Sequence, residues 1–211
     1  MPKKIDKGQA FWSKTLQEYA RKGYGQKPSI FAQEFAELLA DRNIKNGKIL
    51  ELGGGLGQDG RYFMSLGFDV TSTDLKDSDD VKALDMREMP WPFADSEFDI
   101  IYAHLSLHYF DTETTRAIFA EIQRVLKNDG ILAFFTNSKS DPEYDKSKEI
   151  ENGLMVVDNI FKRYFDVEMA RDFAKDFVEI LADNNGETYK DIEKGIHNLI
   201  RFVGRKVGAK A

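Results

Sequence analysis

Lys48-Ile-Leu-Glu-Leu-Gly-Gly-Gly-Leu-Gly-Gln-Asp59 is the stretch on which the reading of this chain turns. Ile49, Leu50 and Leu52 make a short buried strand with Glu51 set among them, and Gly53, Gly54, Gly55 and Gly57 follow at once. Without β-carbons the backbone turns sharply there and can approach a ligand closely. A single glycine pair is explained by a tight strand-to-helix turn with no ligand; four glycines in this space are not. The next segment reads as a helix from about Gln58 to Leu66, with Gly67 as its C-terminal glycine. Its free amides and positive dipole end face the loop, so a nucleotide-type ligand with an anionic group is expected.

The chain of 211 residues, with 42% apolar and 31% charged residues, is expected to be a single domain over 1–211, with an N-terminal segment at 1–28 and a core at 29–211. A net charge of −6 argues against a partner recognised through its nucleic-acid phosphates, which call for basic patches. Zero cysteines exclude disulfides, thiolate metal sites and a cysteine nucleophile. Met-Pro-Lys-Lys-Ile-Asp lacks the apolar core of a signal peptide, and there is no run of about 18 apolar residues to span a membrane. A cytoplasmic protein is the expectation.

Outward from the loop, residues 7–22 carry a weak helical pattern that Gly23 and Gly25 break. After Ser29, Phe31, Phe35, Leu38 and Leu39 fall on one helical face. Residues 68–74 read as a second strand ending at Asp74, 81–84 as a short third one, and 98–103 as a fourth. Pro90 and Pro92 make 89–93 irregular. Asp111 or Thr112 caps a helix with Ile118, Phe119, Ile122, Val125 and Leu126 inward and Gly130 at its end. A buried strand, 131–136, follows. Residues 137–162 are polar and mixed, too long for a simple connection, and follow a strand end, so they are candidates for substrate contact. Asp166 caps another helix, and strands at 177–181 and 198–207, joined by a turn around Asn184-Asn185-Gly186, close the chain as a hairpin. The result is an alternating β/α architecture.

Gly55, Gly57 and Gly60 formally satisfy the dinucleotide fingerprint. Asp74, at the end of the second strand, suits a ribose in either a dinucleotide or another nucleotide cofactor, but a dinucleotide needs no acid in the first strand, where Glu51 stands. Taken together, Glu51-x-Gly53-x-Gly55-x-Gly57, Asp74, Asp85-Met86, Ser96-Glu-Phe-Asp-Ile-Ile-Tyr-Ala103 and Arg124-Val-Leu-Lys-Asn-Asp-Gly-Ile-Leu132 resemble a class I S-adenosylmethionine-dependent methyltransferase, from about residue 29 to the C-terminus. The resemblance implies a Rossmann-like α/β three-layer sandwich, whose seven-stranded, mostly parallel sheet has an antiparallel last strand and helices on both faces. It also implies S-adenosylmethionine as cofactor, with S-adenosylhomocysteine as product.

By position, the resemblance implies that the main chain at Gly53 and Gly55, in the loop with Gly54 and Gly57, holds the methionine moiety, with Glu51 orienting the loop and the ammonium group. Asp74 would take the ribose, Leu75 would pack on adenine, and Asp85 and the Met86 amide would reach its amine and a ring nitrogen. Ala103 and His104 would lie beside the sulfonium. The plainer readings are a helix N-cap for Asp74 and a solvated loop acid for Asp85. Methyl transfer chiefly needs proximity and orientation. If a base is used, His104 or His108, just past the fourth strand, are best placed, as imidazole titrates near neutrality. Their i, i+4 spacing suggests a metal only with a third ligand, and none is in sight. Phe11-Trp12 and Gly25-Gln-Lys-Pro-Ser-Ile-Phe31 look like the N-terminal region of tellurite- and thiopurine-modifying methyltransferases, which implies a lid bearing Trp12, Tyr19 and Tyr24. Packing of the first helix on the core explains those aromatics equally well. The expected activity is methyl transfer to a small molecule, with two rivals: a protein or RNA methyltransferase, and a cofactor-binding sensor without turnover.

Overall fold

The computed structural model describes residues 8–23, 25–188 and 196–208, with side chains from Lys14 onward. After helices α1 (Gly8–Arg21) and α2 (Ile30–Asp41) come β1 (Lys48–Leu52), α3 (Gln58–Ser65), β2 (Asp69–Asp74), β3 (Val81–Ala83) and β4 (Phe98–His104). Then follow α4 (Thr112–Val125), β5 (Leu126–Thr136), a hairpin of β6 (Leu154–Val157) and β7 (Ile160–Arg163), α5 (Val167–Phe173), β8 (Phe177–Gly186) and β9 (Leu199–Lys206). Seven strands make one sheet in the order β3-β2-β1-β4-β5-β9-β8, and β9 runs antiparallel to both neighbours. Chain order reverses between β1 and β4, which makes the ends of these strands the place where an open α/β sheet leaves a crevice.

Strand periodicity explains the two cores. Side chains alternate across a strand, so Ile49, Ile100 and Tyr102 join Phe31, Phe35 and Phe63 of α2 and α3 on one face. Leu50, Leu52, Ile101 and Ala103 face α4 and α5 on the other, against Ile118, Ile122, Ala170 and Phe173. Each phenylalanine taken fully out of water contributes about 1.5–3 kcal/mol. The helices begin where short polar side chains accept a free amide: Ser29 from Ala32, Asp111 from Thr114 and Asp166 from Met169.

Two expectations are corrected. Gly130 does not end α4; the helix stops at Val125, because Leu126 is fully buried and pairs with Phe98, and the chain turns at Asp129, which has φ of 61° inside an irregular β5. Asn184-Asn185-Gly186 is not the closing turn; it lies within β8 at a register shift opposite Arg201 and Leu199, and part of the connection to β9 lies outside the described residues. Residues 137–162, too long for a simple connection, contain β6 and most of β7, whose turn residues Asp158 and Asn159 both have positive φ. The tight two-residue turn explains this pairing.

Gly60 shows how closely the first units approach one another. A β-carbon there would lie 2.2 Å from Ser72 Oγ and 2.6 Å from Glu51 Oε2, inside the contact between α3, β1 and β2. Gly60→Ala is therefore expected to lower the stability of the chain by about 1–3 kcal/mol in denaturant unfolding, the range for overpacking a close contact. An unchanged midpoint would mean that the three elements have slack between them.

Candidate functional site

The carboxyl ends of β1, β2, β4 and β5 border a cleft of about 1270 Å³. Its floor begins with Glu51, which is almost wholly buried. Glu51 Oε2 accepts a hydrogen bond from Ser72 Oγ at 2.5 Å, and the Gly60 amide donates to the same carboxyl. Burial first, then the nearby Asp59 and Asp74 carboxylates, push the Glu51 carboxyl up to about 8, against the lowering effect of Ser72 and Gly60. Beside it Asp59 is also buried, accepting from Ser29 N and Ser29 Oγ, each at 2.7 Å, and from Tyr102 Oη at 2.9 Å. That one carboxylate ties the start of α2 to α3 and β4.

Above Glu51 the glycine loop satisfies its own amides. Gly53 N and Gly54 N both donate to Thr73 O at 2.8 Å, Gly55 N to Asp74 Oδ2 at 2.9 Å, and Gly57 N to Gly54 O at 2.9 Å. These four glycine amides are thus paired within the protein, one of them with a carboxylate. What the loop has left to offer is carbonyl oxygen, which suits a hydrogen-donating or positively charged group. Gly53 is obligatory in this arrangement, with φ of 73° and a hypothetical β-carbon only 2.3 Å from Ser106 Cβ. Ser106 Oγ in turn donates to Leu52 O at 2.6 Å, so the loops after β1 and β4 are joined.

Glu51, Gly53, Gly54, Gly55, Asp74, Leu75, Asp85, Met86, His104, His108 and Tyr19 all border the cleft. Gly57 does not; it precedes α3 with φ of 72° and packs against Arg61, Val81 and Asp80. Ala103 is fully buried in the core. The side chains of Trp12 and Tyr24 lie outside the described residues. No helix starts at Asp74, so its carboxylate is not an N-cap; it links the Gly55 and Leu75 amides at the cleft edge. Although burial alone would raise it, Asp85 is held below the usual carboxylate range by the Arg87 amide and guanidinium.

The far wall comes from the ends of β4 and β5 and from the β6–β7 hairpin. His104 stacks on Phe135, with ring centroids 4.9 Å apart. His108 is buried, with Nδ1 3.1 Å from Thr136 Oγ1. Burial, then the positive charges of Lys162 and His104, hold His108 well below the ordinary histidine range, so its ring is neutral. Arg163 N donates to His108 O at 2.7 Å and Phe165 N to Asn137 O at 2.9 Å, which docks the 137–166 excursion on this wall. Sequence reading did not single out Asp59, Tyr102 or Ser106, and it reached Asn137 only as the first residue of 137–162, the segment expected to contact substrate. Asp59 alone had a signal: an acid in the first turn of the helix after a glycine loop, beside an acid in the strand before it. Among the described residues no group of three or more His, Cys, Asp and Glu side chains is arranged for a metal, and no helix is long and apolar enough to cross a membrane.

The family model "Methyltransferase domain" matches residues 50–134. Among solved structures, the chain is similar to the Burkholderia thailandensis 1,6-didemethyltoxoflavin-N1-methyltransferase with bound 1,6-didemethyltoxoflavin and S-adenosylhomocysteine, at 18% identity and TM-score 0.69 over 94% of this chain and 88% of that one. It is also similar to a SAM-dependent methyltransferase from Methanosarcina mazei (17% identity, TM-score 0.64, 78% of this chain and 94% of that one) and to TehB from Haemophilus influenzae (18%, 0.60, 80% and 60%). No protein of curated function matches the sequence.

Glu51 yields a prediction. Its carboxyl is raised from about 4.5 in the unfolded chain to about 8 in the folded one. The folded state thus holds the extra proton between these values, and this contribution to stability, full below the lower one, is lost as pH rises through the upper one. Glu51→Gln keeps the shape without the titration. Melting temperatures of the two proteins should diverge in favour of the variant between pH 6 and pH 9; parallel curves would place Glu51 in a more polar environment than this one.

Proposed function

We propose that the chain, whose residues 50–134 match a methyltransferase-domain model and whose fold is similar to that of S-adenosylmethionine-dependent methyltransferases, transfers a methyl group to a small-molecule acceptor in the cleft described above. The observation that carries this reading is the single cleft that joins the glycine loop, Asp74 and Asp85 at one end to His104, His108 and the hairpin at the other. S-adenosylmethionine, the cofactor of this class, supplies a methyl carbon activated by the adjoining positive sulfur. The residues fit such a group. The loop backbone, pressed against Ser106 where no side chain has room, presents carbonyl oxygens for the ammonium of its methionine moiety. Asp74 stands where two hydroxyls of a ribose can donate to it, and Leu75, Met86 and Leu84 give an apolar surface for adenine. For Asp85 to accept from adenine, its carboxylate would share the bond it makes to Arg87.

The small-molecule reading draws support from the extent of the cleft and from the bound 1,6-didemethyltoxoflavin in the Burkholderia relative. The net charge of −6 weighs against RNA. On the acceptor side His108, neutral and buried, is the best general base, and His104, stacked on Phe135, flanks the reacting centre. Helix α1 acts as the lid. Leu16 and Tyr19 line the cleft, and a β-carbon on Gly55 would lie 3.4 Å from Leu16 Cδ2, so the helix rests on the glycine loop. Closing it excludes water and opening it releases product.

Calorimetry should show binding of S-adenosylhomocysteine and none of NAD. Asp74→Ala should weaken that binding by about 1–3 kcal/mol, the cost of unpairing polar partners. Tight NAD binding without a response to S-adenosylhomocysteine would overturn the reading. Deleting residues 1–27 should leave a folded sheet and reduce methyl transfer more than cofactor affinity; full activity in the truncated protein would return α1 to a packing role.

A further inference from the structure

Five buried side-chain polar atoms among the described residues have no hydrogen-bond partner, and three of them belong to residues of the cleft: Gln58 Oε1, His108 Nε2 and Asn137 Nδ2. Gln58 stands at the start of α3, beside the glycine loop. The other two line the opposite end, where His108 Nδ1 lies 3.1 Å from Thr136 Oγ1 and Asn137 is the next residue of the chain. Both are at least nine-tenths buried. Leaving a buried donor and a buried nitrogen unpaired in a wall shared with Tyr109, Phe110, Ile160 and Phe161 costs stability, and an occupant that pairs with both removes that cost.

We propose that His108 and Asn137, with Thr136 behind them, are the acceptor subsite, and that it takes a neutral small molecule whose N–H or O–H adjoins a carbonyl: a lactam, an imide or a hydroxy-carbonyl compound. The assignment rests on the methyl-transfer reading above. His108 Nδ1–H donates to Thr136 Oγ1, which leaves the lone pair on Nε2; Asn137 Nδ2 donates to the carbonyl of the acceptor. As the acceptor nitrogen or oxygen forms its bond to the methyl carbon, the carbon–sulfur electron pair stays on sulfur as a neutral thioether. The proton of the acceptor passes to His108 Nε2, and from there to water. Thr136 and Asn137 are positioning and specificity residues, whereas His108 receives the proton. The surrounding charges agree with a neutral acceptor. Lys162 is paired with Glu143, and the carboxylates of Asp111 and Asp141 accept from the Thr114 and Glu143 amides.

The test uses the full chain, with affinity for S-adenosylhomocysteine measured first. The chain has three histidines, so the imidazole nitrogens of His108 can be assigned by NMR through His104→Gln and His197→Gln. His108 should be neutral with hydrogen on Nδ1, Thr136→Ser should keep that tautomer, and Thr136→Val should lose it. Among the probes 2-pyridone, uracil, lumazine, sarcosine and benzoate, at least one of the first three should shift the His108 resonances. Asn137→Leu should weaken that probe about tenfold while leaving S-adenosylhomocysteine affinity unchanged. Asn137→Asp, which keeps the size but loses the donor, should weaken it as well. Hydrogen on Nε2, a response only to sarcosine or benzoate, no response to any probe, or an Asn137→Leu protein that binds its probe normally would overturn the assignment. Failure to bind S-adenosylhomocysteine would instead overturn the methyl-transfer reading beneath it.

Discussion

A carboxyl group without a cation holds the centre of this structure. Glu51 sits under the glycine loop with Ser72 and the Gly60 amide as its hydrogen-bond donors, close to the second buried acid, Asp59. Two acids at this depth are tolerated because one is kept neutral by burial while the other is surrounded by the Ser29 amide and hydroxyl and by Tyr102. Everything above them follows. The side chains absent from Gly54 and Gly60 are the space that the Glu51 carboxyl occupies, and β1, β2 and α3 therefore approach more closely than residues with β-carbons allow. Asp59 extends the same constraint outward to α2 and β4.

With its amides donated to Thr73, Asp74 and Gly54, the loop is rigid before any ligand arrives. Preorganisation of this kind lowers the ordering cost of binding. The opposite wall is built differently. It depends on a long excursion from β5, pinned by the Arg163–His108 and Phe165–Asn137 main-chain bonds, and on two polar side chains each of which leaves one buried nitrogen without a partner, His108 Nε2 and Asn137 Nδ2. At one end of the cleft the glycine amides are paired and Gln58 Oε1 is left without a partner, while the other end carries two unpartnered nitrogens. That contrast fits a common donor at the first end and a selective acceptor at the second.

Much of the first end was legible in the sequence, because it rests on local rules. Glycines in succession, an apolar run with one acid and an acid at the next strand end each have a short-range cause, and they fell on β1, the loop and β2. The alternation of strand and helix was legible too, whereas the order of strands in the sheet was not read from it. That Thr73 and Asp74, on a neighbouring strand, take the amides of the loop was not legible, since no local pattern reveals it. The Asn184-Asn185-Gly186 turn failed for a similar reason: pairing with β9 across the sheet outweighed the preference of those residues for a turn. Asn137 opens 137–162, the segment expected to contact substrate, but nothing in the sequence marked it out from its neighbours. Its importance lies in lacking a partner, and that is a property of the folded wall alone.

The account stands or falls on where the cofactor lies. A crystal structure of the chain with S-adenosylhomocysteine should place the ligand across the carboxyl ends of β1 and β4, its amino group against the glycine-loop carbonyls, its ribose on Asp74 and its sulfur toward His104. A ligand bound elsewhere, or with its ribose away from Asp74, would contradict it.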